Sequence, residues 1–162
     1  MNKYTFKEYS EKYPQLFEKE KGFLIRILPG VFGLEHIGST SVKGLGGRGI
    51  IDILVSFKKK EDLKNAKAVL LQNNYEVIEF DRDKISLETT RGFLFKHHFH
   101  VHLTLIGSNI WKETLLFRDR LRKDSEFTER YSALKKKAIM VAEGEGKIYR
   151  KLKESFIKKN SK

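Results

Sequence analysis

The run Ile50-Ile51-Asp52-Ile53-Leu54-Val55-Ser56-Phe57 narrows the possible folds of this chain more than any other stretch. It is rich in β-branched residues and almost continuously apolar, which is the pattern of a strand covered on both faces. Such a strand needs helices packed against its sheet, and the sequence supplies them. Lys60 to Gln72 puts Leu63, Ala66 and Leu70 on one helical face with charges opposite. After Gly107 the periodicity is again helical, through Trp111, Leu115, Phe117 and Leu121, then Phe127, Tyr131, Leu134 and Ile139, then Ile148, Leu152 and Phe156. These three sets predict three amphipathic helices. Phe32 to Ile37, Tyr75 to Phe80, Lys84 to Glu88 and Phe93 to Leu105 read as extended, the last with a turn near Phe95-Lys96. Upstream, Thr5-Phe6-Lys7-Glu8 has the form of a capping box that opens a first helix. Pro14 is expected to interrupt or kink that helix, and Leu24, Ile25 and Leu28 to continue its apolar face up to Pro29-Gly30. The outline is an α+β fold with a helical carboxyl-terminal third, not an alternating doubly wound sheet.

Asp52 interrupts the apolar strand, and a buried carboxylate is costly unless it is paired, hydrogen-bonded or coordinated to a metal. Ahead of it lies His36-Ile37-Gly38-Ser39-Thr40-Ser41-Val42, a strand running into Gly-Ser with hydroxyl residues where a short helix can begin. Gly38 has no Cβ, so the backbone there can approach a phosphate closely. Free N–H groups at a helix start, with the Ser39, Thr40 and Ser41 hydroxyls, can hold anionic oxygens. A plain turn with a helix cap accounts for the same residues. The order of loop, Arg48 and then Asp52 is more specific than either part alone.

Four of the five histidines fall in Lys96-His97-His98-Phe99-His100-Val101-His102-Leu103. On a strand, His98, His100 and His102 share one face by alternation. Imidazoles beside Asp52 can bind Zn²⁺, Mn²⁺ or Fe²⁺ better than Mg²⁺; the alternative is a set of hydrogen-bonded sheet residues. His36, directly before the loop, is placed to orient it. Asp81-Arg82-Asp83, despite its Asp-x-Asp form, lies between two extended runs and reads as a hairpin turn.

The sequence has 33 basic residues against 21 acidic ones, a formal charge of +12, which favours polyanionic partners such as nucleotides or RNA. Lys147 to Lys162 holds seven basic residues and one acid, with Ile148, Leu152 and Phe156 as the expected buried stripe and a basic outer face, either simply solvated or binding RNA phosphates. With no cysteine, disulfides and thiolate sites are excluded, which is compatible with the cytoplasm. No run approaches the ~20 apolar residues of a membrane span and none has the apolar core of a signal peptide. A soluble cytoplasmic protein without a membrane partner is expected. No Gly/Ser linker or internal repeat divides the chain, so residues 1–162 read as one domain. No pattern specifies an oligomeric state.

His36-Ile37-Gly38-Ser39-Thr40-Ser41-Val42, Gly44-Leu45 and Ile50-Ile51-Asp52-Ile53 resemble the signature of GrpB-like proteins, a branch of the nucleotidyltransferase superfamily. The resemblance continues in His100-Val101-His102-Leu103, in Phe117-Arg118-Asp119-Arg120-Leu121-Arg122 and in Tyr131-Ser132-Ala133-Leu134-Lys135. It implies a small mixed sheet flanked by helices. It also implies a Gly-Ser loop for a nucleotide triphosphate, and acids on two strands that hold divalent metal, Mg, Mn or Zn, while a hydroxyl attacks the α-phosphate. Gly38 and Ser39 match the loop and Asp52 the first acid. Leu54 stands where a second acid belongs, and His100 and His102 stand in place of a third; Lys43 and Gly49 replace expected prolines, while Arg48 keeps a basic residue ahead of the strand. The resemblance thus implies either nucleotidyl transfer to an acceptor or a degenerate module that binds nucleotide or phosphate without catalysis. Arg118, Asp119 and Arg122 match the family's helix, and an intramolecular ion pair that docks this helix on the sheet is their plain explanation. Some GrpB-like segments are joined to dephospho-coenzyme A kinase, which connects the family with nucleotide or cofactor metabolism.

Overall fold

The computed structural model describes residues 5–81, 83–143 and 145–160. Its elements are helix α1 (Tyr13–Ile27), strand β1 (Val31–Ile37), a short 3₁₀ turn (Ser39–Ser41), β2 (Ile51–Phe57), α2 (Lys60–Gln72), β3 (Glu76–Phe80), β4 (Ile85–Arg91), β5 (His97–Leu105), α3 (Asn109–Lys123), α4 (Ser125–Ala142) and α5 (Gly146–Asn160). The expected α+β architecture is present: one small mixed sheet with flanking helices and a helical carboxyl-terminal region.

The sheet order is β1-β2-β5-β4-β3. β1 is antiparallel to β2, β2 is parallel to β5, and β5 is antiparallel to β4, which is antiparallel to β3. β2 therefore lies inside the sheet, as its apolar run requires. Alternation sends Ile51, Ile53, Val55 and Phe57 to one face with Phe99, Val101 and Leu103 of β5. There they meet Phe17 and Leu24 of α1 and Ala66 and Leu70 of α2 in the main core. The other face carries Asp52, His100 and His102. A second cluster joins Val42 and Leu45, just after the 3₁₀ turn, to Phe117, Leu121, Phe127 and Tyr131 of α3 and α4. It fixes the helical third beside the loop. Side-chain caps open both helices: Ser108 Oγ accepts from the Trp111 N–H and Asp124 Oδ1 from the Phe127 N–H.

Four expectations need correction. Thr5-Phe6-Lys7-Glu8 opens no helix, because the Lys7 backbone pairs with Gly47 in an antiparallel bridge (2.6 and 2.9 Å). Pro14 starts α1 instead of kinking it, since the first turn of a helix has no use for the missing N–H. On that helix Ile25 is exposed while Leu24 and Leu28 are buried. Finally, of the expected α5 stripe Phe156 packs on Phe127 and Tyr131, but Ile148 and Leu152 are exposed and the fully buried residue is Tyr149. α5 packs on α4, where Tyr149 joins Ala138 and Ala142, and this leaves Ile148 and Leu152 toward solvent. The hairpin between β3 and β4 closes with Asp81 N–H on Lys84 O (2.9 Å), as expected of Asp81-Arg82-Asp83, although Arg82 lies outside the described residues. Phe93 to Lys96 forms the β4–β5 connection, so β5 begins only at His97.

Candidate functional site

β1 delivers the chain into Gly38, whose backbone (φ 70°, ψ −171°) lies in a region essentially reserved for glycine. A Cβ here would overlap Asp52 Oδ2 and stand 3.0 Å from Asp52 Cγ. The loop and the acid are therefore pressed together, because Ile37 pairs with Asp52 across the β1–β2 ladder. Ser41 Oγ donates to Gly38 O (2.8 Å), closing the turn. Thr40 is buried, and its hydroxyl donates to Ile50 O (3.0 Å). The hydroxyl proton being used, His36 donates to Thr40 Oγ1 through Nε2 at 3.0 Å. The His36 ring also stacks on Phe17 with 4.5 Å between centroids. His36 does orient the loop, as expected. Burial lowers its pKa to about 4, with Arg122 and Arg118 adding to the effect and Asp52 opposing it. Ser39 is left facing the cleft, whereas Thr40 and Ser41 spend their hydroxyls on the loop itself.

Asp52 sits opposite His100 in the parallel ladder, and Leu54 opposite His102. Asp52 Oδ1 is 3.3 Å from His100 Nδ1 and 3.5 Å from His102 Nε2. Burial opposes ionisation of Asp52, but hydrogen bonding and charge from His100 and His102 outweigh it and hold the carboxyl well below the usual carboxylate range. The far nitrogens of both rings are also engaged. His100 Nε2 is 3.3 Å from Glu88 Oε2, and His102 Nδ1 is 2.9 Å from Ser86 Oγ. Both partners come from β4, where Glu88 pairs with His100 and Ser86 with His102. Glu88 is a carboxylate that the sequence reading did not assign to the site; the period-two sequence Ser86-x-Glu88-x-Thr90 was the signal for it. Thr90 in turn engages His98 Nδ1 at 3.0 Å, so His98 is a hydrogen-bonded sheet residue outside the cluster.

Among the described residues, Asp52, His100 and His102 form the one group of metal-type ligands, each offering an atom within 4.8 Å of the others. Two nitrogens and one carboxylate oxygen suit Zn²⁺, Mn²⁺ or Fe²⁺. Ligands about 2.0–2.1 Å from a tetrahedral ion stand roughly 3.3 Å apart, which the ligand spacing approaches. Glu88 and Ser86 occupy the positions from which outer partners orient metal-bound imidazoles. Leu54, on the same face, is fully buried and offers no second carboxylate.

In front of Asp52 a small cavity of about 50 Å³ is lined by Gly38, Ser39, Arg48, Ile50, Asp52, Tyr131, Lys135, Tyr149 and Lys153. The helical third thus brings two lysines and two tyrosines to the loop. Lys135 is buried and its amine donates to Gly46 O. Burial lowers its pKa to about 7, helped by the charge of Lys153 and opposed by Asp52. Burial also lowers Lys153 to about 8, with Arg48 adding and Asp52 and Glu154 opposing. The Tyr149 ring lies between Arg48 Cζ (5.3 Å from its centroid) and Lys153 Nζ (5.2 Å). Three basic side chains and a serine hydroxyl thus line this cavity beside one carboxylate. Sequence reasoning placed Gly38, Ser39, Arg48 and Asp52 here, but it missed Lys153, Tyr131 and Tyr149 and gave Lys135 no role. An ion pair docks α3, as expected, but its partner is Glu35: Arg118 bonds Glu35 (2.6 Å) and His36 O (3.3 Å) across the interface and Asp119 (2.8 Å) on its own helix, while Arg122 donates to the Ser41 carbonyl (3.1 Å).

Comparison with known proteins bears on the family and the fold. The chain is 28% identical over 155 residues to the glutamate-rich protein GrpB of Alkalihalophilus pseudofirmus, covering 92% of this chain and 88% of that protein. It is 30% identical over 132 residues to the UPF0157 protein YqkA of Bacillus subtilis, covering 79% of this chain but 37% of that longer protein. Among solved structures, the conserved protein GrpB from Enterococcus faecalis matches with a TM-score of 0.82 and 28% identity, over 97% of this chain and 94% of that one. GLD-2 in complex with RNP-8 (TM-score 0.59, 18% identity, 81% of this chain and 55% of that one) and the Cid1 poly(U) polymerase (0.52, 18%, 77% and 42%) share the nucleotidyltransferase-like fold. A family model described as GrpB protein matches residues 3–162, and the chain belongs to the GrpB family.

Proposed function

We propose that this protein is a nucleotide- or phosphate-binding module whose site has lost the acidic set needed for nucleotidyl transfer. The observation that carries this reading is the convergence of Arg48, Lys135 and Lys153 with Ser39 on one small cavity, while Leu54 stands buried where a second metal-binding acid would project. The three cations and the Gly38–Ser39 turn would hold the phosphate oxygens of a nucleotide or other phosphate-bearing ligand. Asp52, His100 and His102 would hold one divalent ion, Zn²⁺ or Mn²⁺ in preference to Mg²⁺, because Mg²⁺ favours oxygen ligands. When bound, such an ion would supply one further positive charge to a phosphate. Residues 1–162 would act as a single domain, and the outer basic face of α5 could extend the site toward RNA phosphates.

The test is calorimetric titration with nucleoside triphosphates and with inorganic pyrophosphate, in the presence of chelator and then of Zn²⁺, Mn²⁺ or Mg²⁺. Binding should persist in chelator and in Asp52→Ala, and should weaken by at least about tenfold in Lys135→Met or Lys153→Met, the loss expected of a charge-assisted hydrogen bond. No binding of any of these probes would overturn the reading. Nucleotidyl transfer is the second reading, favoured by Glu88, which brings a second carboxylate within 3.3 Å of His100 Nε2. It requires label from an α-labelled nucleotide to reach an acceptor in an Asp52-dependent manner.

A further inference from the structure

The β4–β5 connection presents Phe93, Leu94 and Phe95 to solvent at 95%, 83% and 80% exposure. Three successive large apolar residues this exposed are unusual on a soluble surface. The connection is held in a defined turn. Gly92 has φ 100°, and a Cβ there would overlap the Phe95 carbonyl oxygen. At its base lies a pocket of about 380 Å³, lined by Leu16, Lys19, Glu20, Phe23, Arg26, Arg91, Gly92, His97 and Phe99. Its apolar floor is Phe23 and Phe99, and its polar groups are mainly cationic. Arg91 bonds the buried Glu20 through Nε and Nη2 (both 3.3 Å) and lies over the Phe23 ring (4.7 Å). Lys19, Arg26, Arg91 and the exposed Lys96 thus surround the base of the tip with Glu20 as the one carboxylate among them. By strand alternation His97 and Phe99 face away from His100 and His102, so this surface is on the side of the sheet opposite Asp52.

We propose that this tip and its cationic base dock the protein on an anionic lipid surface. Phe93, Leu94 and Phe95 enter the headgroup–acyl boundary, and the pocket receives a lipid phosphate between Lys19, Arg26 and Arg91. The complementarity is of two kinds at one place: an apolar point to insert and a basic ring to meet negative headgroups, on a chain of net charge +12. No helix among the described residues is long and apolar enough to cross a membrane, and docking on a surface needs none.

Co-sedimentation with vesicles of mixed phosphatidylglycerol and phosphatidylcholine, and of phosphatidylcholine alone, tests this on the full chain. Wild type should bind the mixed vesicles and leave the neutral ones largely free. Phe93→Ser/Leu94→Ser/Phe95→Ser, which keeps the net charge, should bind at least about tenfold more weakly, because binding scales with the apolar area inserted. Lys19→Ala/Arg26→Ala should lose about fivefold for each cation. The tip is exposed, so the serine variant should keep the wild-type melting temperature. Three outcomes would overturn the proposal: no binding of wild type to the mixed vesicles, equal binding by the serine variant, or self-association of wild type that the serine changes abolish, which would assign the tip to a second copy of this chain.

Discussion

Gly38→Ala should destabilise the protein chiefly through Asp52, two residues that meet only in the folded chain. The backbone at φ 70°, ψ −171° is worth about 1–3 kcal/mol against any residue with a Cβ. The new methyl would also overlap Asp52 Oδ2, displacing a carboxylate that His100 and His102 approach at 3.3 and 3.5 Å. Loosening a hydrogen bond to a charged group costs about 1.5–3 kcal/mol. Together the loss is about 2.5–6 kcal/mol, or a fall of about 5–24 °C in melting temperature for a domain of this size. Urea denaturation of wild type, Gly38→Ala, Asp52→Ala and the double variant separates the two contributions. In the Asp52→Ala background only the backbone cost remains, so the cycle should show a coupling of about 1.5–3 kcal/mol. Strict additivity, or a Gly38→Ala protein as stable as wild type, would refute the argument that the loop is built around the acid.

Lys135 carries its proton in the unfolded chain up to its ordinary value of 10.5 but loses it above about 7 when folded. The unfolded chain then binds more protons between those values, so stability rises with pH across this window. Lys135→Met should remove about 3–5 kcal/mol of that rise, read from urea unfolding at pH 7 and pH 10. His36, lowered from 6.5 to about 4, is neutral when folded, so its contribution is complete above pH 6.5 and lost as pH falls through about 4. His36→Gln should reduce the acid loss by about 2–3 kcal/mol in the same measurement. Arg118→Ala should cost about 2 kcal/mol by releasing Glu35, Asp119 and the His36 carbonyl, and Arg118→Lys should restore only part of this because lysine lacks the planar fork. Thermal unfolding of the two variants checks it.

Elements whose periodicity is set by one packed face were legible in the sequence. Lys60 to Gln72 forms a helix with the bounds its pattern implies, and Ala66 and Leu70 are buried as expected. The interior strand from Ile51 was legible because burial on both faces leaves little but apolar residues. Gly38 and Asp52 could be singled out because each breaks a local rule: one in backbone conformation, the other in placing a charge in an apolar run. Thr5-Phe6-Lys7-Glu8 misled because a capping box is a local signal, and the backbone of Lys7 found a partner 40 residues away in Gly47. Of the basic residues that line the cavity, Arg48 was legible and the two lysines were not. Lys135 and Lys153 look like other lysines in a chain that carries 33 basic residues. Which of them turns inward depends on how α4 packs against the loop and α5 against α4, and no local pattern encodes that. The sequence alone determined the strand, the loop and the acid, since those follow from steric and solvation costs along the chain. Only the tertiary structure decided which cations face them, because that choice rests on helix packing between residues about a hundred positions apart.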